Sequence, residues 1–416
     1  MTDNRRFPAE WEPHEAVWIS WPESEVEHLA IEGYSIEKTY HEILSELLSH
    51  VNVCIVVTTE EIGQRLTQRY ERTTVYRVKI FVIPKCSIWI RDFGPIFTVD
   101  DSQRAQITLF GWNHYGRVHL APPEELAFFM ADQHVSRYAA TQLNLPTYPA
   151  TMSNGRLLVS EGGDREFNGK GTLMVTEQVE LQRNPGQSKE EIEEVLKRSL
   201  NVKKVVWLKN GMADDRSPDG GLLPGGYWPT YGTNGHIDEF ARFVNESTIL
   251  LNHITEEEAA SCPIARSSKE AMDENENILS RETDQDGRPF KVLHMPVPPP
   301  LPFDIQPHHT IFRDISNLLT TTAGVSVDKE KSAKVILPAS YCNFLVTNGL
   351  VLCAKYSRAD QEEKLREECL KTDREAARVL GEVFPGRKIV QLDVSIINLG
   401  GGGIHCITQQ QPALRL

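Results

Sequence analysis

The sequence has no excess of positive charge, no long apolar run and no signal-peptide segment. Its 44 lysines and arginines face 58 aspartates and glutamates, a net charge of −14. This balance disfavours nucleic acid and anionic membranes as partners and weakly favours a small cationic substrate. No stretch approaches the ~20 apolar residues that span a bilayer, and the first residues lack the apolar segment of a secretory leader. We therefore expect a cytoplasmic protein without membrane contact.

The sequence also lacks a recognisable cysteine framework. Its seven cysteines are an odd number, with no C-x-x-C pair and no zinc-type spacing. Several lie in apolar runs, where a free cysteine behaves as a small hydrophobe. We therefore expect reduced thiols. A homo-oligomer is compatible with the sequence.

Strand-like and helical patterns alternate along the chain, which predicts an α/β fold. The proline-rich span of a dozen residues at 296–307 is interpreted as a surface loop rather than a linker between domains. Residues 1–24 are interpreted as irregular. We therefore expect one catalytic domain over residues 1–416, although this length is typical of two or three domains. The predicted helices are 35–49, 60–70, 123–144, 188–200, 255–281 and 359–384. The predicted strands are 51–58, 78–83, 106–112, 157–160, 172–176, 204–208, 241–244, 248–252, 290–295, 333–337, 344–353 and 388–394.

The stretch richest in chemistry lies near the C-terminus, where four glycines (400–403) precede Cys406. Glycines let the backbone approach a ligand closely, and the apolar run 389–394 upstream is typical of a buried strand. A cysteine after such a loop can be an exposed nucleophile, or equally a buried thiol beside a tight turn. His405 would face away from Cys406 in an extended backbone, so it is left out of the predicted site.

Four residues upstream can serve a nucleophilic Cys406. His236 can donate a proton to a leaving group and then activate water. Asp238 lies two positions later, on the same face if the segment is extended, and Asp92 and Glu161 add two carboxylates. Carboxylates around a thiol raise its pKa, and the positive charge of a cationic substrate would offset this effect. A guanidinium is such a substrate, because two carboxylates can accept hydrogen bonds from its planar N–H fork.

Each candidate also has a structural explanation. Asp92 can pair with its neighbouring arginine or begin a turn, and Glu161 can be a turn acid before two glycines. The pair His236 and Asp238 can be half of a metal site or a satisfied core pair. Trp89 is more often a core residue than a substrate platform, and it is kept as a candidate substrate contact.

The candidate residues are spaced with some regularity. Asp92, Glu161, His236, Asn343 and Cys406 follow one another at intervals of roughly seventy residues, with one longer interval. Repeated modules with polar loops converging at one end would explain this spacing.

Taken together, these segments resemble the agmatine deiminase family of the guanidine-modifying, or pentein, superfamily. The similarity runs through nearly the whole chain, and the glycine run ending in Ile-His-Cys is its most specific part. The matching stretches are 8–15, 89–95, 161–163 with 171–172, 234–238, 340–344, 398–406 and 409–412.

The resemblance implies a five-bladed α/β propeller of ββαβ-type modules around a closed acidic pocket. It implies that Cys406 attacks the guanidinium carbon, His236 is the acid/base, Glu161 orients it, and Asp92 and Asp238 hold the guanidinium. The implied reaction converts agmatine to N-carbamoylputrescine and ammonia through a covalent amidino-cysteine, with no metal and no cofactor. Peptidyl-arginine, free arginine or another alkylguanidine is the alternative substrate.

Three departures from the family pattern surround the predicted site. Residues 209–233 form a long glycine- and proline-rich loop before His236, and 164–166 read Asp-Arg-Glu where a small residue and then a histidine are usual. Glu239 stands where asparagine is common. They bear on substrate identity more than on the reaction.

Two other functions remain open. A metallohydrolase could use His236, Asp238 and Asp92 as ligands, with Cys406 incidental. A catalytically silent binding protein could retain the same fold.

Overall fold

The computed structural model describes residues 5–71, 75–102, 104–120, 126 and 130–413, and its helices and strands build a mixed α/β fold. The strands are β1 (His14–Ser20), β2 (Asn52–Val57), β3 (Val78–Val82), β4 (Ile96–Val99), β5 (Ala105–Leu109), β6 (Thr147–Pro149), β7 (Glu166–Phe167), β8 (Thr172–Thr176), β9 (Lys204–Leu208), β10 (Ala241–Phe243), β11 (Thr248–His253), β12 (Lys291–Pro296), β13 (Leu301–Ile305), β14 (Ala333–Leu337), β15 (Leu345–Thr347), β16 (Leu350–Lys355), β17 (Lys388–Asp393) and β18 (Thr408–Pro412). The helices are α1 (Glu23–His28), α2 (Ile36–Leu47), α3 (Glu60–Tyr70), α4 (Ile90–Phe93), α5 (Val135–Leu143), α6 (Glu177–Arg183), α7 (Lys189–Leu200), α8 (Glu256–Ser261), α9 (Pro263–Leu279), α10 (Thr310–Thr321), α11 (Glu363–Val383) and α12 (Ser395–Leu399).

Five small sheets share one strand pattern. In each, a first strand pairs antiparallel with a second, and the second pairs parallel with a third that follows at least one helix. The sheets are β4-β5-β6, β7-β8-β9, β10-β11-β12, β15-β16-β17 and β18-β1-β2-β3. Parallel neighbours need a crossover connection, which the helices supply. The recurring unit is therefore ββαβ, and β18 brings the C-terminal end of the chain back beside β1.

A sixth sheet interrupts this pattern. Strands β13 and β14 pair antiparallel, with Leu301 opposite Leu337, and α10 lies between them in the chain. The long loop 209–233 reaches this sheet, because Trp228 forms a parallel bridge to Val335. The loop is thus packed against the fold along part of its length.

The core lies between the sheets and their helices. The middle strands are buried almost without interruption, as in β2, where only Asn52 is partly exposed. The amphipathic helix α2 begins after Ser35, whose side chain accepts a hydrogen bond from the amide of Lys38. It buries Tyr40 in the same hydrophobic cluster as Leu352 of β16. Packing of this kind fixes the strand ends from which the site is built.

Several sequence predictions are wrong in detail. Residues 14–20 of the segment expected to be irregular form β1, whose Gln-rich partner β18 carries no apolar signal. Residues 157–160 make isolated bridges rather than a strand, and 344–353 covers the hairpin β15-β16. The expected loop 296–307 contains β13. Of the predicted helix 123–144, residues 123–125 and 127–129 lie outside the described part, and α5 covers its end.

In the described part of the chain, no helix combines the length and the apolar composition needed to cross a membrane. All seven cysteines are free thiols.

Candidate active site

The candidate residues share one position in the repeated unit. Asp92 lies in α4 directly before β4, and Glu161 comes shortly before β7. His236 caps a short 3₁₀ helix, Ile237–Glu239, that leads into β10. Asn343 precedes β15, and Cys406 precedes β18. Each therefore comes before the first strand of a ββαβ unit, so the fold can bring residues that are far apart in the chain together.

The five predicted catalytic residues are buried. Asp92, at 6 % exposure, is the most exposed of a set that includes Cys406, His236, Glu161 and Asp238. Ionisable groups are rarely buried to this degree unless they are paired. The electrostatics of the site are therefore set by these groups and not by solvent.

The thiol of Cys406 is surrounded by one amide and two carboxyl groups. Asn343 Nδ2 lies 3.1 Å from the sulfur and donates to it, while Glu239 Oε1 lies at 3.6 Å and Asp238 Oδ2 at 3.8 Å. Burial, followed by the charges of Asp238, Glu239 and Asp92, raises the pKa of Cys406 well above its usual range. In the resting site the sulfur is therefore a neutral thiol.

His236 lies between two carboxylates. Its Nε2 is 3.3 Å from Glu161 Oε2 and its Nδ1 is 3.7 Å from Asp92 Oδ1. Burial disfavours the charged ring, but Asp92 and Glu161 outweigh burial and raise the pKa of His236 to about 10. The ring is therefore an imidazolium at neutral pH and can donate a proton.

Glu161 is held by an arginine behind it. Both of its carboxylate oxygens accept from Nε of Arg183 at 2.9 Å, and both residues are almost fully buried. Burial raises the pKa of Glu161, but Arg183 and His236 overcome this effect and lower the pKa to about 2. Glu161 is therefore a fixed anion beside the His236 ring.

Asp92 is positioned by two donors. Tyr115 donates its hydroxyl to Asp92 Oδ2 at 2.7 Å, and the amide of Gly163 donates to Oδ1 at 2.9 Å. A Cβ on Gly163 would lie 2.5 Å from His236 Nδ1 and 3.2 Å from Asp238 Oδ2. This glycine is thus required because three charged side chains converge on the space that a methyl group would fill.

Asp238 is held from its other side by His405. His405 Nδ1 lies 2.6 Å from Asp238 Oδ2, and Nε2 lies 2.8 Å from Glu10 Oε2. Glu10 in turn accepts from Arg242 Nη2 at 2.7 Å. The expectation that His405 faces away from the site is wrong, because the backbone around it is a turn and not extended. The same holds for His236 and Asp238, which converge through a 3₁₀ helix and not a strand.

Trp89 lies on the glycine run. A Cβ on Gly402 would be 2.7 Å from its ring and 3.0 Å from Cys406 Sγ, and a Cβ on Gly400 would be 3.1 Å from the ring. The indole is only partly buried, so it covers the glycine run from the outside. The absence of side chains on these glycines is what allows the indole to lie this close to the thiol.

The loop 209–233 also contacts the glycine run. A Cβ on Gly401, whose φ is +106°, would lie 2.3 Å from the carbonyl oxygen of Tyr231. Arg117 donates to the carbonyl of Gly232, and Arg183 Nη2 donates to that of Thr233 at 2.8 Å. The inserted loop is therefore part of the wall of the site.

Several residues of this site were not predicted from the sequence, among them Arg183, which pairs with Glu161. Asn343 and His405 lie inside matching stretches but were given no role, and Tyr115 carries no local signal. Glu239 was noted as a departure, and its contact with Cys406 follows only from the 3₁₀ turn. For metal binding, three groups of described residues each bring their ligand atoms within 4.8 Å. They are Glu32–His308–His309, His253–Glu276–His294 and Asp238–Glu239–Cys406. None contains His236, so the ligand atoms of the set considered from the sequence (His236, Asp238 and Asp92) do not all lie within 4.8 Å of one another.

Comparison with known proteins places this arrangement in a family. The family model for Porphyromonas-type peptidyl-arginine deiminase matches residues 6–412. An agmatine deiminase of Medicago truncatula is 29% identical over 426 residues, covering 98% of this chain and 96% of the relative. An agmatine deiminase of Pseudomonas aeruginosa (strain LESB58) is 28% identical over 415 residues, covering 99% and 97%.

A solved structure of agmatine deiminase from Enterococcus faecalis superposes with a TM-score of 0.70 at 26% identity, covering 99% of this chain and 96% of that chain. The mixed α/β fold therefore matches agmatine deiminase structures over its full length, and the resemblance in sequence is confirmed. The chain belongs to the agmatine deiminase and Porphyromonas-type peptidyl-arginine deiminase family of the pentein superfamily.

Proposed function

We propose that the protein is a deiminase that hydrolyses agmatine to N-carbamoylputrescine and ammonia through a covalent amidino-cysteine. The observation that carries this proposal is the burial of Cys406 beside Asp238 and Glu239, with the His236 imidazolium held by Asp92 and Glu161. Such a site has surplus negative charge and a soft nucleophile, which suits a flat cation. The names of the related agmatine deiminases support the same substrate.

Substrate charge would activate the nucleophile. A guanidinium between Asp92 and Asp238 places its positive carbon near the sulfur and offsets the carboxylates that raise the thiol pKa. The pKa of Cys406 then falls, and the amide of Asn343 donates to the resulting thiolate. The nearest carboxylate acceptor for the departing proton is Asp238, because burial raises the pKa of Glu239 well above its usual range and keeps that carboxyl protonated. Cationic substrates are thereby favoured over neutral ones.

His236 acts in both half-reactions. The thiolate forms a bond to the guanidinium carbon, and the imidazolium donates its proton to the departing nitrogen, which leaves as ammonia. The neutral ring then takes a proton from water, whose hydroxide attacks the amidino carbon and releases the ureido product and the thiolate. Glu161 keeps the ring in position through both steps. The sulfur and the imidazole supply this chemistry, so the proposal needs no metal.

We also propose that the five ββαβ units form one catalytic domain arranged as a five-bladed propeller. The shared strand pattern supports this arrangement, as does the common position of the site segments before the first strand of each unit. A crystal structure in which the five sheets do not surround one axis would contradict it.

Mass spectrometry after brief incubation with agmatine tests the reaction. We expect a covalent adduct on the peptide that contains Cys406, together with ammonia release. Cys406→Ser should abolish turnover, because a serine hydroxyl does not ionise near neutral pH. Cys262→Ser is the matched control, since Cys262 is a free, partly exposed thiol away from the site. Wild-type turnover in Cys406→Ser would refute the proposal. We also expect turnover to be unchanged in EDTA, because the reaction needs no metal.

Arginine, at a peptide terminus or free, is the second candidate substrate. The observation in its favour is the loop 209–233, which the agmatine deiminase pattern lacks and which contacts the glycine run at Gly401. Turnover of agmatine, free arginine and arginyl peptides should be compared at equal concentration. A strong preference for agmatine would exclude this alternative.

A further inference from the structure

Four successive backbone amides, those of residues 233–236, converge on one buried residue, Asp215, which is 1 % exposed. The amide of Thr233 donates to Asp215 Oδ1 at 2.6 Å. Oδ2 accepts from the amides of Gly235 at 2.9 Å and His236 at 3.2 Å. The amide of Asn234 donates to the backbone carbonyl of Asp215 at 2.9 Å. Successive amides that surround an acceptor in this way form a nest, so the segment that leads to the proposed acid/base is built around one side chain.

The hydroxyl group of Thr233 links Asp215 and His236 a second time. It donates to Asp215 Oδ2 at 2.6 Å and accepts from the amide of His236 at 3.1 Å. Four hydrogen bonds to the carboxyl group therefore come from residues 233–236, all with the carboxyl oxygens as acceptors. A buried amide that loses its acceptor is strongly unfavourable, so these bonds constrain the backbone of His236.

The backbone before His236 takes conformations that need such support. Asn234 has a φ of +68°, in the left-handed region that residues other than glycine rarely adopt. Gly235 has a φ of +114°, and a Cβ there would lie 2.9 Å from the amide nitrogen of Gly211. Backbone conformations of this kind persist only where the surrounding structure holds them. Asp215 supplies this support, because it accepts from amides on both sides of these two residues.

The residues after His236 have other anchors. The amide of Ile237 donates to Asp164 Oδ1 at 3.2 Å. The side chain of Asp238 contacts His405 Nδ1 at 2.6 Å. The nest therefore acts on the backbone of His236, whereas the carboxylate two positions later has its own support.

On the basis of the deiminase reaction proposed above, we propose that Asp215 is a positioning residue for His236. Its carboxyl group fixes the backbone that carries the imidazolium, so the ring lies where it can protonate the departing nitrogen and later take a proton from water. A displacement of about 1 Å at such a group can cost a hundredfold in rate. Asp92 and Asp238 have other hydrogen-bond partners, so binding of the guanidinium should not depend on Asp215. The role of Asp215 is thus confined to the proton transfers.

Asp215→Asn tests this role, because it puts an NH2 group in place of one acceptor oxygen, opposite an amide donor. We expect kcat for agmatine to fall about ten- to hundredfold. In the Cys406→Ser background, the Kd of agmatine should stay the same with and without Asp215→Asn. Asp284→Asn is the matched control and should leave kcat and Kd unchanged. Asp284 is also buried and accepts from the amides of Asp286 and Arg288 at 2.8 Å and 2.9 Å, but it lies in the turn before β12.

Thr233→Val protects the test against a folding defect in Asp215→Asn, because valine keeps the shape of threonine and lacks only the bridging hydroxyl. Its kcat should fall severalfold without a change in Kd, and Thr233→Ser, which keeps the hydroxyl, should recover most of the loss. Wild-type kcat in Asp215→Asn or in Thr233→Val would overturn the proposal, as would equal losses in Thr233→Val and Thr233→Ser. A rise in Kd that matches the fall in kcat/KM would also overturn it, since the defect would then lie in binding.

An agmatine analogue distinguishes a misplaced ring from a general loss of structure. In this S-methylisothiourea, a methylthio group replaces the departing NH2 group. The sulfur of Cys406 bonds to the amidine carbon, the bond from carbon to the methylthio sulfur breaks, and methanethiolate leaves with the electron pair, so no proton from His236 is needed. In a single turnover, Asp215→Asn should therefore slow methanethiol release much less than it slows ammonia release from agmatine.

Equal losses with the two compounds would overturn the positioning role, because the whole site would then be disturbed. Wild-type protein that releases neither ammonia nor methanethiol would instead contradict the reaction proposed above, and with it this role of Asp215. An active wild type with unaffected Asp215→Asn contradicts the positioning role alone.

Discussion

His405 Nδ1 lies 2.6 Å from Asp238 Oδ2, the shortest contact that Asp238 makes. Nε2 of the same ring faces Glu10 Oε2 at 2.8 Å. Asp238 is therefore held by a buried imidazole ring that is itself anchored by the N-terminal segment. This contact joins the two ends of the chain at the site.

Removing the anchor should weaken the site without removing any group that touches substrate. In Glu10→Gln, the His405 ring loses the carboxylate that holds its Nε2, so Asp238 is less well oriented. We expect kcat/KM for agmatine to fall roughly ten- to hundredfold, the range for a hydrogen bond to a charged group. Glu12→Gln is the control, because Glu12 pairs with Arg6 at a half-exposed position and should leave kcat/KM unchanged. An unaltered kcat/KM in Glu10→Gln would show that the contact between Glu10 and His405 does not affect catalysis.

Gly163→Ala tests the convergence of charged side chains. A Cβ would lie 2.5 Å from His236 Nδ1 and 2.9 Å from Asp92 Oδ1, so both groups must move. We expect turnover to fall about a hundredfold, the effect of a displacement near 1 Å at a reacting group. Gly381→Ala, in α11 with open space around the glycine, should keep full activity and gain up to ~1 kcal/mol of stability. Steady-state kinetics and chemical denaturation measure the two effects, and near-normal turnover in Gly163→Ala would contradict this geometry.

Stability should depend on pH through His236. Its pKa is raised from 6.5 to about 10 in the folded state, so its contribution is fully present below about pH 6.5 and is lost as pH rises through 10. The free energy of unfolding should therefore fall between pH 7 and pH 10, and less steeply in His236→Asn. Urea denaturation across this range measures the slope. Identical slopes in the two proteins would mean that the ring is neutral in the fold.

Glu161→Gln should destabilise the protein strongly. It leaves Arg183 buried without a counterion, and breaking a buried pair in this way typically lowers the free energy of unfolding by about 3–5 kcal/mol. Glu368→Gln removes an exposed partner of Lys364 and should change it by less than about 1 kcal/mol. Denaturant midpoints compare the two variants, and a similar small change in both would rule out the buried pair as a stabilising element.

Residue chemistry and order along the chain were sufficient to predict a large part of the site. Cys406, His236, Asp92, Glu161 and Asp238 were predicted, and the structure brings them into one buried cluster. Their roles remain predictions until the variants are tested. The strand and helix positions were predicted best where apolar runs are long, as for β8 and β9. They were missed where burial comes from polar side chains, as for β18.

Only the tertiary structure determines which neighbours set the charge and the orientation of these residues. The placement of His405 against Asp238 depends on a turn that reverses the expected side-chain direction, and the contact of Glu239 with the thiol depends on a 3₁₀ helix. Local sequence determines what a side chain can do, because its chemistry is intrinsic. The partners that set its charge come from segments far away in the chain, so only the folded arrangement determines them.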